Sequence, residues 1–600
     1  MRPRSTRPRL VTRPLGAIGI LLLALALAAC ASAPGPAGDP DLEIGLVPSS
    51  VSLPRGGDVS VEVRIERRGG LAGAVEVTAD EAPAGIAVTP ASLTEDATRA
   101  TLTLGADAGL APGERTLTLL ASAGELARSA ELTVRVTAPA PTVTSVAVRD
   151  TDDSQQLRQG EGMRRVVVQG DDLDTVTGAT LGELEVTVDG DPSTETVTLA
   201  VTIPHGADLG ARDLVLLSAG SDATVAAAVE VVPLTAGPDG ADAGARGTPD
   251  DPFRSMRRAL ELAQEGDVVL LLAGTYGTAN GETFPTQTLL SGAEDPTFSN
   301  VPAGVTIRGE GPEATVLERS DDDLPTTVAF APEGDLRLES LSVLNFGHAV
   351  SATTGQVELV DVQVRDGANG IRAVRQANLR LAGGSRIDDV LRGLILGGAA
   401  TAALEGTSIE NASFFGVAMG GEARLEADDA LIRRSGYGLR LAGSAVAELR
   451  DTVIEQPSVD AGVGVGIFAE ERSVLELHGS TVQRFQFGVG AGGQRLLMRD
   501  TTIRENGEIG LIIPNVDPRP GWQAARVYDL GTASEPGGNE LVDNGDYQLV
   551  DGRPAGARQQ VNVSATVIGP DAPSGLVLTG PLDDPPRWHV VNDGVQIAFW

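Results

Sequence analysis

The chain contains no lysine: all 46 of its basic residues are arginine, set against 82 aspartates and glutamates. That absence removes every mechanism built on a lysine base or Schiff base. There is one cysteine, so no intrachain disulfide can form in any redox compartment. Aromatic residues make up only 3%, and the four histidines, His205, His348, His478 and His589, are scattered without zinc spacing. The sequence has no phosphate loop and no nucleophile elbow. Five arginines precede residue 30, where there are no acids, leaving 41 arginines against 82 acids beyond it. Such a field repels nucleic acid, anionic membrane surfaces and polyuronates unless a divalent cation bridges, so nucleic acid is not an expected partner. The bland reading of the same excess is a solvated surface from a high-GC or salt-adapted source. What is present is glycine, 74 residues of it, and a hydrophobic share of 42%, which excludes wholesale disorder and suits an all-β chain with many tight turns. Six hundred residues exceed one compact core, so several domains are expected.

Residues 1–29 have a basic start followed by an apolar run from Leu15 to Ala29, the pattern of a secretory signal. The run is too short to argue for a multi-span protein. It ends Leu27-Ala28-Ala29-Cys30, which resembles a bacterial lipobox. That resemblance implies a lipoprotein signal peptide over 1–29, a diacylated Cys30 as the new N-terminus, and a firm membrane anchor through several acyl chains. Residues 30–41 then read as a flexible tether. Ala31 carries no retention signal of the aspartate type. The expected location is therefore the bacterial cell envelope, periplasmic or surface-exposed, with the outer membrane favoured where there is one.

Over 42–138 short alternating runs such as VSVEVRIE (59–66) and ELTVRV (131–136) are punctuated by Gly and Pro, which reads as a β-sandwich of about seven strands. The segments around 87–100 and 111–122 resemble bacterial immunoglobulin-like domains. APAPT at 138–142 is a stiff linker. A second module over 142–234 repeats the pattern, and its Gly160, Val168-Gln169-Gly170 and Ile203-Pro204 resemble the transcription-factor type of immunoglobulin fold. The resemblance implies spacers or adhesive units.

Residues 235–251 are Gly/Asp-rich and read as a linker, and 252–600 as the last domain. There Pro252 suits a first helical turn, Asp250 and Asp251 are candidate caps, and Phe253, Met256, Leu260 and Ala263 share a face, predicting a helix of about twelve residues. A buried strand, VVLLLAGTY (268–276), follows. Gly247-Thr248, Pro252, Gly266-Asp267, Ala273-Gly274-Thr275-Tyr276, Gly281 to Pro285 and Gly304 to Gly311 resemble the opening of pectin lyase-like right-handed parallel β-helix proteins. With Asp529 to Thr532 and Pro536 to Asn539 they look like a branch of that superfamily of uncharacterised function. The resemblance implies an amphipathic helix closing the N-terminal end of the stack.

Glycine then recurs at 347, 370, 393, 416, 438, 466, 488 and 510, mostly every 22 or 23 residues, each time before a short apolar strand. A period of this size marks a solenoid of stacked coils about 4.8 Å apart. The one long interval, 438 to 466, holds an insertion, QPSVDA (456–461), expected on the surface. The expected fold class is all-β: a right-handed parallel β-helix with a capping helix, preceded by two immunoglobulin-like sandwiches.

Stacking makes columns of residues readable. One column runs Ser340, Asp361, Gly384, Gly406, Asp429, Asp451, Gly479, Asp500. Its aspartates could hold Ca²⁺, with Asp429 and Asp451 one coil apart. Glycine alternates with Asp there, however, as expected of a corner in left-handed backbone. Thr407, Thr452, Ser480 and Thr501 form a column able to hydrogen-bond up the stack. A third column before the anchor glycine includes Phe346, Phe415, Tyr437 and Phe487, with Phe414 and Phe485 beside it. Facing inward these are ordinary core, the favoured reading on the burial habit of Phe. Facing outward they make a sugar-stacking platform, so Phe415, Tyr437, Phe487 and the nearby Arg440 are the candidate ligand-binding residues. His348 reads as a satisfied core or end-coil histidine. Asp321-Asp322-Asp323 reads as a solvated loop. The catalytic sets of the wider superfamily are missing from the sequence, so no catalytic residue is assigned and no cofactor is expected beyond a possible Ca²⁺. The expectation is a lipid-anchored envelope protein whose β-helix binds glycan or protein ligands, a polysaccharide or another cell-surface ligand, without catalysis. The alternative is a polysaccharide lyase or glycoside hydrolase, on fold analogy alone.

Overall fold

The computed structural model describes residues 39–151, 154–218, 221–278, 281–284, 299–319, 327–458, 464–514, 526–531, 534–545 and 547–551, with the strands Val561–Asn562, Val567–Ile568 and Ile597–Phe599. Cys30, Asp321 to Asp323, His589 and the later part of the 456–461 insertion lie outside these residues. The chain divides into two compact units, Met1–Pro139 and Ala140–Trp600.

The first unit is a two-sheet sandwich. Asp41–Val47, Asp58–Arg68, Arg99–Ala106 and Ile86–Thr89 form a four-stranded sheet. Ser50–Pro54, Leu126–Thr137, Gly113–Ala123, Val75–Ala79 and Ala91–Leu93 form a five-stranded one. There are more strands than the sequence predicts because two runs are split between the sheets, at Pro48 and at Pro90. Proline has no N–H to give to a ladder, so each run leaves one sheet there and enters the other. Alternation puts Val61, Val63, Leu102, Leu104, Leu117 and Leu132 in the core.

The second unit opens with another sandwich of two four-stranded sheets, built around Val168, Leu199, Val201 and Leu214. The expected linker is structured. Leu234–Ala236 leaves the sandwich and pairs in parallel with Val268–Leu271, so it is the first strand of the long sheet that follows. The helix is shorter than predicted, Met256–Leu262, and its cap is Ser255, whose Oγ accepts from the Arg258 N–H. Its remaining amino-terminal donors are met from elsewhere: the Glu282 carboxylate accepts from the Met256 and Arg257 N–H groups, and Asp242 holds Ser255. Asp251 is used in a turn, where it accepts from the Arg246 N–H, and is not available as a cap. The predicted apolar face holds, with Phe253, Met256, Leu260 and Ala263 all buried. Residues 268–276 form two strands, Val268–Leu271 and Gly274–Tyr276, with a corner between them.

The rest is a parallel β-helix. Strands pair with their counterparts one coil away in a 23-stranded and an 11-stranded sheet. Each regular coil contributes three strands, for example Arg424–Asp428, Leu431–Arg433 and Tyr437–Leu441. We call these the first, second and third columns; the first two share the larger sheet. The interior is a single apolar cluster running from Leu234 to Leu549.

The anchor glycines are required by close approach. They are the second residues of third-column strands, and a Cβ on Gly416 would lie 2.5 Å from the carbonyl oxygen of Gly438 and 2.6 Å from Ile432 Cγ2. The same contact repeats from Gly370 to Gly488. At the corner between the first and second columns every residue has positive φ, from 48° at Asp451 to 78° at Gly384, as the Asp/Gly alternation predicts. The residue after each corner is buried, and at three of them a side-chain oxygen accepts from the coil before: Val362 N–H donates to Ser385 Oγ (3.2 Å), Thr452 N–H to Ser480 Oγ (3.3 Å) and Thr501 N–H to Asn539 Oδ1 (3.0 Å). Thr452, Ser480 and Thr501 of the hydroxyl column are thus hydrogen-bonded within the stack, whereas the Thr407 hydroxyl is buried without a partner.

Candidate ligand-binding face

Third-column strands alternate after their glycines. Leu439 and Leu441 are fully buried, whereas Arg440 between them keeps 40% of its side chain exposed. The Arg440 guanidinium lies 5.7 Å over the Phe415 ring and pairs with Glu470. Phe415 is thus on the outer surface, although its neighbours reduce its exposure to 8%. Tyr437 stacks on it from the next coil, ring centroids 5.3 Å apart, and both rings contact Phe414 (4.1 and 6.3 Å). Phe468 extends the cluster, 6.4 Å from Tyr437. Phe414 is 44% exposed, and Leu391, beside it one coil earlier, is 42% exposed. Together they extend the exposed apolar surface beside the aromatic cluster.

The inward reading favoured on composition is thus corrected for part of the column. Phe346 and Phe485 are core residues, whereas Phe415 and Tyr437 face out. Phe487 is in the same column but separated from Tyr437 by Val465, so the three predicted aromatics are not contiguous. Phe468 belongs to the cluster and was missed, because it stands in register with Arg440, at the strand's other outward position. Its signal was visible only once the strand had been aligned residue by residue.

Toward the amino-terminal coils the same face turns polar. In register with Phe415 stand Arg392, Asn369 and His348. Arg392 donates to Asn369 Oδ1 (3.2 Å) and lies 5.8 Å over the Phe414 ring. Asn369 Nδ2 donates to the Gly347 carbonyl (3.1 Å). His348 is buried as predicted but not satisfied: its Nδ1 has no hydrogen-bond partner. Burial, reinforced by Arg372 and Arg392, pushes its pKa down to about 4, so the imidazole is neutral near pH 7.

Asp429 and Asp451 sit exposed at the corner, with φ of 52° and 48°. Among the described residues the three side chains with metal-ligand proximity are instead Glu448, Glu476 and His478, ligand atoms within 4.8 Å. Glu448 is already paired with Arg450, and Glu476 with Arg495 at 3.2 Å. Elsewhere on the first column Arg308, Glu339, Arg337, Glu358, Arg380 and Glu405 form a continuous ladder of ion pairs. Burial works against the Glu339 carboxylate, but hydrogen bonds from Arg337 and Arg308 hold its pKa below the usual range.

A family described as a protein of unknown function, DUF1565, matches residues 238–293, the helical cap and first strands of the β-helix. That match and the parallel sheets fit a β-helix protein. No curated protein matches the chain. Solved structures with partial similarity include an endo-fucoidan hydrolase from glycoside hydrolase family 107 (15% identity, 30% of this chain and 27% of that one, TM-score 0.14). Another is the surface layer protein SbsC, domains 1–6 (19% identity, 31% and 26%, TM-score 0.14). A third is a chimeric titin tandem (15% identity, 30% and 93%, TM-score 0.11). The chain thus covers about a quarter of the first two.

Proposed function

We propose that this is a lipid-anchored protein of the bacterial cell envelope whose β-helix holds an extracellular glycan on the outer face of its third column, without acting on it. The reading rests on one observation: Phe414, Phe415, Tyr437 and Phe468 form a ring cluster on the outside of a rigid sheet, crossed by Arg392 and Arg440. Sugar rings present apolar C–H faces that stack on such rings, and the flanking guanidinium groups donate to hydroxyls. The first module serves as a spacer of immunoglobulin-like type, and Cys30 carries the lipid.

A panel of plant, algal and host polysaccharides, assayed for binding and for cleavage with and without Ca²⁺, tests the reading. Binding without turnover is expected, and Tyr437→Ala or Phe414→Ala should weaken it about five- to tenfold, the scale of an aromatic contact. Turnover that disappears in a variant of this face would replace the binding reading with an enzymatic one. For the anchor, Cys30→Ser should move the protein from the membrane fraction to the soluble one, and retention in the membrane would refute lipidation.

A further inference from the structure

We propose that Arg392 is an anion-recognising subsite of this face, so that the bound glycan carries a carboxylate or sulfate ester beside the sugar ring that covers Phe414. The inference rests on the glycan reading above and specifies its ligand.

The argument begins with what the other arginines do. On the first column Arg308, Arg337 and Arg380 are each neutralised by glutamate, and on the third Arg440 pairs with Glu470. Arg392 pairs with no carboxylate among the described residues. It is nevertheless held from two sides, by Asn369 Oδ1 at 3.2 Å and by the Phe414 ring at 5.8 Å. Asn369 is only 2% exposed and is itself fixed by the Gly347 carbonyl, so the support is rigid. The result is an oriented, partly exposed guanidinium with no ion pair among the described residues. Its remaining N–H groups match the paired oxygens of a carboxylate or sulfate, the geometry arginine recognises best.

The surroundings agree. His348, two coils along the same register and buried to 2% exposure, leaves Nδ1 unpartnered, and Arg372, bonded to Ser351, stands beside it. Asp366 and Asp389 are exposed at the nearby corner and make no ion pair with Arg392. The chain's overall charge of −36 opposes an anionic ligand at long range. At physiological ionic strength that field is screened beyond about 8 Å, whereas a contact at Arg392 is not.

Calorimetric titration of the full chain with length-matched neutral, carboxylated and sulfated oligosaccharides tests this, with Arg392→Gln and Arg392→Lys alongside. At least one anionic series should bind about tenfold or more tightly than the neutral one, the scale of a charge-assisted hydrogen bond. Arg392→Gln should abolish that preference, so that the variant binds anionic and neutral ligands equally whatever its remaining affinity, and Arg392→Lys, which keeps the charge but not the fork, should fall between. The two anionic arms decide between carboxylate and sulfate. Equal binding of neutral and anionic ligands by the wild type, or a preference that survives Arg392→Gln in a protein with unaltered melting temperature, overturns the subsite and leaves the glycan face standing. If Arg392→Gln lowers the melting temperature, Arg392→Lys carries the test, and undiminished preference there overturns the fork. Absence of binding to every saccharide overturns both.

Discussion

Single positions in this chain are set by what the neighbouring coil brings near them. Gly416 has no need of unusual backbone; it is glycine because the Gly438 carbonyl occupies the space of a Cβ. Asp451 stands under the opposite constraint, with a left-handed backbone and an open exterior, which aspartate tolerates and β-branched residues do not. Both constraints were legible as columns, one of constant glycine and one of alternating Asp and Gly. The burial of His348 was legible from the apolar residues at its position in other coils, but its unpartnered Nδ1 was not, since hydrogen-bond partners come from other coils. Its pKa is lowered, so the folded state resists a proton that the unfolded chain accepts. Stability from this group is therefore complete above about pH 6.5 and declines as pH falls toward about 4. Urea denaturation across that window should show a decline in wild type that is shallower in His348→Gln; identical slopes would refute the assignment.

Corners and short strands behave as elements because each satisfies the one before it. The left-handed corner leaves the next N–H pointing along the stack, and the following coil supplies an oxygen to meet it, Ser480 for Thr452 and Asn539 for Thr501. Removing such an acceptor strands a buried donor, at a cost of about 1–3 kcal/mol. Ser480→Ala should lower the urea midpoint accordingly, whereas Ser480→Thr, which keeps the hydroxyl used at the equivalent coils, should be close to neutral. Equal loss from both substitutions would point to packing rather than the hydrogen bond. The period, the corner and the hydroxyl ladder were all readable because each is a sequence column. The facing of the aromatic column was not. A strand that carries a glycine pressed against the next coil departs from strict alternation, so parity counted along the chain misassigns the residue before it.

At the scale of the molecule, the second sandwich is part of the β-helix unit rather than a detached spacer. Leu234–Ala236 runs directly into the long sheet. Gln159, 2% exposed, donates to the Ala207 carbonyl and accepts from the Val268 N–H. Asp267, fully buried, accepts from the Gly206 and Gln264 N–H groups and lies 2.5 Å from His205 Nδ1, while Arg246 holds Glu161 with two nitrogens. Residues 140–600 should therefore melt their sandwich and their β-helix in one transition. Asp267→Ala, which removes the buried acceptor shared by the Gly206 and Gln264 N–H groups, should separate the two transitions or lower the common one; an unchanged single transition would show that this junction does not couple them.

The sequence by itself determined the all-β class, the solenoid period, the helical cap and the corners. Each of these follows from local backbone preference or from a pattern repeated coil after coil. The tertiary structure alone decided which aromatics face out, that Leu234–Ala236 joins the long sheet, and that Arg392 is held without an ion pair among the described residues. Those depend on contacts between coils and between modules, where partners far apart in sequence meet at distances that no single coil encodes.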